Sequence, residues 1–428
     1  MPETTDGRPA APLWLPAWTA EEGAQRVRDL FDRTFDGPAP DGVWSAPGRV
    51  NVIGEHTDYN AGVCLPTALP HRTYVALRRR DDDVVRIASA QTSEPWRVRL
   101  ADVAPGAVEG WGSYVAGVAW ALREAGHAVG GFDAVVDSCV PFGASLSSSA
   151  ALECAFAVAL DDVFGLGLGG DDAGRTQLVA ACIRAENEIA GAATGGLDQS
   201  AALLCRAGSA LLLDFRPGLA PQEHAVPTPF DLATAGLTLL VIDTRAPHQL
   251  VDGQYAARRT SCEQAASILG VPTLRDVTPE GLKDALTALA EHDEDGVLRR
   301  RVRHVVTETA RAAELAELVR GGLGADGSPD AAVVARAGAL MTASHASLRD
   351  DYEVTVRETD LSVDTSLAAG AIGARMTGGG FGGSTIALVR ADAVEDVAAA
   401  VRAAFADAGL AAPAFLQAPP SASAGRDA

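Results

Sequence analysis

The chain has 428 residues, more than one hydrophobic core usually covers, and 47% of them are hydrophobic, so two packed lobes are expected. Thirty-five basic against 56 acidic residues give a net charge of −21, which argues against nucleic acid or an anionic membrane as partner, since both need a basic face. No run of ~18 apolar residues is present to span a bilayer, and "MPETTDGRPAAPLWLPAW" has acids and prolines where a signal peptide is basic and then apolar, so the expectation is a cytoplasmic protein.

Taken in chain order, a Pro/Ala-rich leader precedes the helical pattern "AEEGAQRVRDLFDRTF". The β-branched, alternating runs "VWSAPGRVNVIG", "HRTYVALRRR", "DVVRIAS" and "PWRVRL" then predict an antiparallel meander. "GSYVAGVAWALREAG" reads as a helix, "FDAVVDSCV" as a strand, and "SSAALECAFAVALDDVFG" as a helix apolar on nearly all sides and therefore buried. A second helix, "DAGRTQLVAACIRAENEIAG", follows it. The strands "SALLLDF" and "LTLLVID" flank the proline-bearing loop "RPGLAPQEHAVPTPF", which places the boundary between lobes.

Three long amphipathic helices come next, "DGQYAARRTSCEQAASILG", "RRRVRHVVTETARAAELAELVRG" and "AAVVARAGALMTASHASLRDD". The strand pair "GARMTGG" and "STIALVR" encloses a glycine cluster, and the helix "AVEDVAAAVRAAFADAG" closes the second lobe. Lobes spanning 1–215 and 216–412 are expected, with 413–428, containing "PPSASAGRDA", as a disordered tail. Strands and helices do not alternate strictly, so the fold class is α+β rather than a doubly wound sheet.

Two counts limit the chemistry. The six cysteines, Cys64, Cys139, Cys154, Cys182, Cys205 and Cys262, are never closer than fifteen positions, which rules out a C-x-x-C motif and reads as buried free thiols. Lys283 is the single lysine, and "TPEGLKDALTALA" is neither a Walker A motif nor a protein-kinase lysine strand. Any phosphate handled here must be met by arginine, backbone amides and a metal ion.

Four stretches carry polar chemistry. "PFGASLSSSAALECA" puts a Gly/Ser loop, Gly143, Ala144, Ser145, Leu146, Ser147, Ser148 and Ser149, ahead of the buried helix. Free N–H groups and the helix dipole make this an anion site, although a serine-rich helix start also serves as plain N-capping. "RMTGGGFGGST" has five glycines in six positions, 378–383, which permits close backbone approach to a ligand or, alternatively, a hinge. "AENEIAGAATGGLDQSAALL" holds Glu186 at a helix end and Asp198 at the start of the next element; such carboxylates serve a metal and a proton, or merely cap. In "APGRVNVIGEHTDYNAG", Glu55, His56 and Asp58 fall within four residues, a set suited to vicinal hydroxyls, to a metal, or to a solvated turn.

Together these stretches resemble the GHMP kinase superfamily, and within it the galactokinases. "GRVNVIGEHTDYNAG" looks like the galactokinase signature, "PFGASLSSSA" like the phosphate loop and "RMTGGGFGGS" like the third glycine motif. "ENEIAGAATGGLDQ" resembles the catalytic segment and "HQLVDGQYAARRTSCEQA" a further sugar-contacting stretch, all in family order from about residue 27 to about residue 390.

The resemblance implies a two-lobed fold with mixed sheets and an active site in the cleft between lobes. It implies transfer of phosphate from ATP to the anomeric (C1) hydroxyl of D-galactose, the first committed step of galactose catabolism. Asp198 would be the base and Arg49 its partner; Glu55, His56, Asp58 and Tyr255 would contact the sugar. Gly143 to Ser149 would cradle ATP, with Mg2+ on Ser149 and Glu186, and Trp111 and Tyr114 would line the adenine pocket. A monomer acting on small molecules is expected. A GHMP kinase for N-acetylgalactosamine or another sugar, and a sugar and ATP sensor without turnover, are the alternatives. Ser145 departs from the glycine usual in the phosphate loop, and would crowd the phosphates if its φ were positive; Gly196 and Leu197 also vary the residues before Asp198.

Overall fold

The computed structural model describes residues 11–192, 194–246, 251–321 and 330–428. Three sheets organise it. The largest has the strand order Gly425–Arg426, Gly42–Asn51, Pro66–Arg79, Phe132–Ser138, Val84–Ser89, Trp96–Arg99. A five-stranded sheet runs Leu13–Trp14, Ala414–Gln417, Leu237–Asp243, Ser384–Arg390, Gly373–Thr377, and a small one runs Val63–Cys64, Ser209–Asp214, Ala225–Pro229. Both larger sheets mix parallel and antiparallel pairs, with helices packed on them, so the architecture is α+β.

The first expected meander is interrupted. Phe132–Ser138 inserts between Pro66–Arg79 and Val84–Ser89, antiparallel to the former and parallel to the latter. Burial explains the order: "FDAVVDS" is buried at six of its seven positions and takes an interior slot. "WRVR" alternates half-buried and exposed and takes the edge.

The tail is ordered, which corrects the expectation for 413–428. "AFLQ" forms an interior strand of the five-stranded sheet, with Ala414, Phe415 and Leu416 buried. The apolar content of "AAPAFLQA", which the following prolines and serines obscured, is what the sheet buries. The chain then crosses to the other sheet, where Gly425–Arg426 pairs with Gly42–Asn51 and Arg426 bonds Asp162 at 2.8 Å. The loop expected at the lobe boundary is also partly structured, since Ala225–Pro229 pairs with Ser209–Asp214.

The helix Ser148–Phe164 lies at the centre of the first lobe, buried along most of its length. Its C-terminus is closed by Gly165 at φ 66°, the left-handed cap that stops an Ala-rich helix cleanly. At the other end Ser147 precedes it in left-handed conformation and makes no side-chain cap. Its first N–H groups are therefore left for something other than a capping side chain.

The predicted second helix runs Asp172–Arg184 and then widens into a π-helical turn, Ala185–Ala190, a local form frequent at functional sites. The other long helices form as expected: Val251–Leu269, Val297–Arg320, Ala331–Ser347 and Val394–Asp407. Of the stretch "HQLVDGQYA", residues 248–250 lie outside the described residues. All six cysteines are free and five are buried. No described helix is long and apolar enough to cross a membrane.

Candidate active site

The site starts from a bulge. The strand Gly42–Asn51 shifts register between Pro47 and Arg49, and a Cβ on Gly48 would lie 2.6 Å from the Leu146 carbonyl oxygen. Glycine there lets the phosphate loop pack directly on the strand, and the Arg49 N–H donates to Leu146 O at 3.1 Å. This contact turns the Arg49 side chain, 8% exposed, toward the loop.

Arg49 makes a two-pronged bond to Asp198, Nε to Oδ1 at 2.8 Å and Nη2 to Oδ2 at 3.0 Å, while Nη1 donates to Ser145 O at 2.7 Å. Asp198 does not cap its helix, Leu197–Leu204; Gly196 holds the cap position, at φ 99°. Ser147 Oγ adds a third donor to Asp198, on Oδ2 at 2.5 Å. Of the carboxylate's four lone-pair positions, one on Oδ1 stays open.

Around this pair a cavity of about 140 Å³ is lined by Arg49, Glu55, His56, Asp58, Glu186, Thr194, Leu197, Asp198, Tyr255, Gly378 and Gly379. The structure thus brings the expected catalytic and sugar residues to one place, each from the segment named above. A larger hollow of about 600 Å³, walled by Leu15, Trp18, Phe142 and Arg245 among others, lies beyond the phosphate loop and shares only Gly143 with the expected set. Trp111 and Tyr114 also stand apart from the cavity, at the start of the helix Gly112–Glu124.

The residues expected to contact a sugar are held in specific states. Burial lowers the His56 imidazole to about 3, with His304 and Arg258 adding repulsion, so the ring is neutral. Its Nδ1 meets Tyr59 Oη at 2.9 Å, Tyr59 meets Tyr352 at 2.8 Å, and Tyr352 meets Cys262 Sγ at 3.1 Å. Either group can donate in the two latter bonds, and His56 Nε2 is buried with no hydrogen-bond partner among the described residues. Burial raises Asp58 to about 7, assisted by the charges of Asp198 and Glu55 and opposed by the Tyr59 N–H. Glycine at 195 leaves room for this side chain, since a Cβ would sit 2.1 Å from Asp58 Oδ2 and push the carboxyl aside.

Glu55 is already engaged: it accepts from Gly378 N at 2.7 Å, Asn51 Nδ2 at 2.9 Å and Arg375 Nη1 at 3.4 Å. It joins the sugar signature to the third glycine motif, leaving an acceptor position on Oε2. On the phosphate side, Ser149 Oγ donates to Glu186 Oε1 at 3.2 Å. Burial raises Glu186 to about 7, with Asp198 repelling it and Gln199, Ser149 and Arg49 pulling back. Among the described residues no three His, Cys, Asp or Glu side chains group to hold a metal by themselves. One carboxylate and one hydroxyl still suit Mg2+, which keeps waters and takes phosphate oxygens as further ligands.

Gly143, Ser145 and Ser147 alternate along the loop at φ 72°, 58° and 59°. Ser145 therefore has the positive φ that the sequence reading singled out, with its carbonyl turned to Arg49. The Cβ fits because Gly378 and Gly383 have none: side chains there would lie 2.8 Å from Ser145 Cβ and 2.2 Å from Ser145 Oγ. The hinge alternative for the glycine cluster gives way to this close packing of two loops.

Sequence reasoning missed several supporting groups. Gln199 Nε2 donates to Glu186 Oε2 and to the buried Glu153 at 3.1 Å, linking the helix of Asp198 to the metal-type carboxylate. Its place directly after Asp198 was the available signal. His304, Glu308 and Tyr352 come from elements with no local motif, while Tyr59 and Arg375 lie inside quoted motifs without having been singled out; the fold packs all five behind the cavity lining.

Known proteins resemble this chain over most of its length. The galactokinase galactose-binding signature matches residues 29–79, the GHMP kinases N terminal domain 113–206 and the GHMP kinases C terminal domain 331–407. A galactokinase of Streptomyces coelicolor is 49% identical over 403 residues, 94% of this chain and 97% of its own. One of Mycobacterium tuberculosis is 45% identical over 371 residues, 87% and 95% of the two chains. The structure of Lactococcus lactis galactokinase complexed with galactose superposes with a TM-score of 0.82 at 29% identity, covering 93% and 98%. Mevalonate kinase of Methanococcus jannaschii, at 14% identity and a TM-score of 0.56 over 88% and 98%, shares the fold. With the sugar signature, both GHMP domains and near-complete relatives in agreement, the chain belongs to the galactokinase family.

Proposed function

We propose that this ATP-dependent sugar kinase transfers the γ-phosphoryl group of ATP to the C1 hydroxyl of D-galactose, with Asp198 accepting the hydroxyl proton. The observation that carries the reading is the Arg49–Asp198 pair, with Ser147, at the meeting point of a polar cavity and an uncapped helix start. Asp198 Oδ1 keeps a free lone pair for the sugar O–H. Arg49 holds the Asp198 carboxyl in place and lies beside the transferring group, where its charge is useful as the bond to phosphate loosens. A strong base is not required, because the proton leaves late, once the oxygen has begun to bond phosphorus.

Glu55, Asp58, His56 and Tyr255 present carboxyl groups, a neutral imidazole and a phenol to the sugar hydroxyls. The loop Gly143 to Ser149 and the free N–H groups of its helix receive the phosphates. Ser149 and Glu186 would hold Mg2+, which supplies charge neutralisation between the phosphates when bound. This placement explains how a chain of net charge −21 with one lysine handles a nucleotide. Positive potential is built only where it is used.

The cleft is formed between the part of the chain up to about residue 215, which gives Arg49 to Asp198, and the part after it, which gives Tyr255, Gly378 and Gly379. Action as a monomer belongs to this reading, and the dependence on ATP supports a cytoplasmic setting. The test is ADP release with Mg-ATP across galactose, glucose and N-acetylgalactosamine. Turnover of galactose without glucose is expected. Turnover of N-acetylgalactosamine in preference would reassign the sugar, and binding without turnover would make the chain a sensor.

A further inference from the structure

Behind the cavity lies a fully buried charged group that the reaction itself does not use. Arg375, on the strand Gly373–Thr377, and Glu308, on the helix Val297–Arg320, both have 0% exposure. Arg375 Nη1 donates to Asn51 O at 2.9 Å and reaches Glu55 Oε1 at 3.4 Å; its Nε donates to Ser344 Oγ at 3.1 Å. Its Nη2 has no hydrogen bond and faces Glu308 Oε1 at 3.8 Å.

Glu308 accepts from Gly54 N at 2.9 Å, Ser344 Oγ at 2.6 Å and Arg311 Nε at 2.9 Å. Although burial alone would raise it, Arg311 and Arg375, with a smaller part from His304, pull its carboxyl down to about 2, so it is charged. One turn earlier on the same helix face, His304 Nε2 meets Glu55 O at 3.1 Å. Thr377 Oγ1 completes the lacing, bonding both N and O of Asn51 at 2.9 and 3.1 Å.

We infer that Arg375 and Glu308 are positioning residues for the sugar: a buried ion pair that fixes Glu55 and the Gly54–Glu55 backbone and ties both to the third glycine motif. An apolar cluster of the same volume would fill this space without desolvating four charges, and such replacements are often neutral or favourable for stability. What apolar groups cannot do is hold a carboxylate at one angle. Every donor on Glu55 comes from this frame: Arg375 itself, Gly378 directly after Thr377, and Asn51, which Arg375 and Thr377 pin. The open acceptor position on Oε2 is thereby aimed, and the sugar hydroxyl that meets it is selected by geometry.

The inference rests on the reading that Glu55 contacts the sugar, so the experiment includes Glu55→Gln beside Arg375→Lys. Lysine keeps the buried positive charge but cannot reach Asn51, Ser344 and Glu55 together. For Arg375→Lys we expect the galactose KM to rise ~10-fold or more, with kcat and the ATP KM within about threefold of the parent. A merely structural role would move both KM values together or neither, and either pattern overturns the inference. If Glu55→Gln raises the galactose KM and a folded Arg375→Lys does not, positioning fails while the sugar contact stands. If Glu55→Gln itself leaves the galactose KM unchanged, the sugar contact fails and the inference falls with it. Should Arg375→Lys lose its thermal transition, the same split is read on Glu308→Gln, which keeps the shape and the acceptor for Gly54 N.

Discussion

The two sides of the cavity are built by different means. The sugar side consists of charged and aromatic side chains already bound to one another: Glu55 to Gly378 and Asn51, His56 to Tyr59, Asp58 against Gly195. The phosphate side consists of backbone, a loop with alternate residues at positive φ leading to a helix start with no side-chain cap. A sugar offers hydroxyls of fixed direction, which call for side chains set in advance. Phosphate offers diffuse charge, for which aligned N–H groups and a cation suffice.

Asp198 stands where the sides meet, so its removal gives the largest expected effect. Asp198→Asn should lower kcat by ~10²-fold or more while calorimetry finds both substrates bound nearly as in the parent. Turnover within a few-fold of the parent would deny it the base role. Gly195→Ala attacks the sugar side alone: its Cβ would meet Asp58 Oδ2 at 2.1 Å and displace it. The galactose KM should rise ~10-fold with the ATP KM unchanged; a shift in both would show that the two sides are not separable.

Ser149→Ala is the counterpart on the phosphate side, and a Mg2+ titration of the rate should move to several-fold higher concentration. An unchanged titration would assign the ion to other groups. The smallest effect is in pH. Asp58 is raised from 3.8 to about 7, so without ligand its proton is held more tightly folded than unfolded. Its contribution to stability is complete below about 4 and is lost as pH rises through about 7. A carboxylate accepts hydroxyl protons better than the acid, so the galactose KM should fall a few-fold between about pH 6 and pH 8. Asp58→Asn should flatten that slope, and a slope that persists would place the titrating group elsewhere.

Most long helices were legible because each carries its own periodicity, although Leu282–Leu289 and Arg357–Ala368 were not named; the uncapped start of Ser148–Phe164 was legible only as a choice between capping and anion binding. The strand order was not legible, since the slot taken by Phe132–Ser138 depends on how all the strands share burial. The tail was misread because "PPSAS" is locally disorder-prone, whereas Phe415 and Leu416 answer to the sheet they enter. At the site, the residues inside motifs could be named in advance. Glu308, outside any motif, could not, and Arg375, although it opens "RMTGGGFGGST", carried no sign of its role, as Gly54 and Glu55, which they hold, lie more than 250 positions away in sequence. Ser145 was the informative departure: its cost could be stated beforehand, but that Gly378 and Gly383 make room for it is a fact of three dimensions.

The final segment, in passing from the five-stranded sheet to the six-stranded one, acts as a belt across the molecule. Arg72 and Arg175 buckle it on the way by holding the carbonyls of Ala422, Ser423 and Ala424. Jaws joined by such a belt cannot swing wide without unzipping a strand pair, which hands admission and release to the loops at the mouth. Spin labels on the two sheets should accordingly keep one separation as galactose and ATP arrive; a distance that changes by several ångström would mean the belt slips.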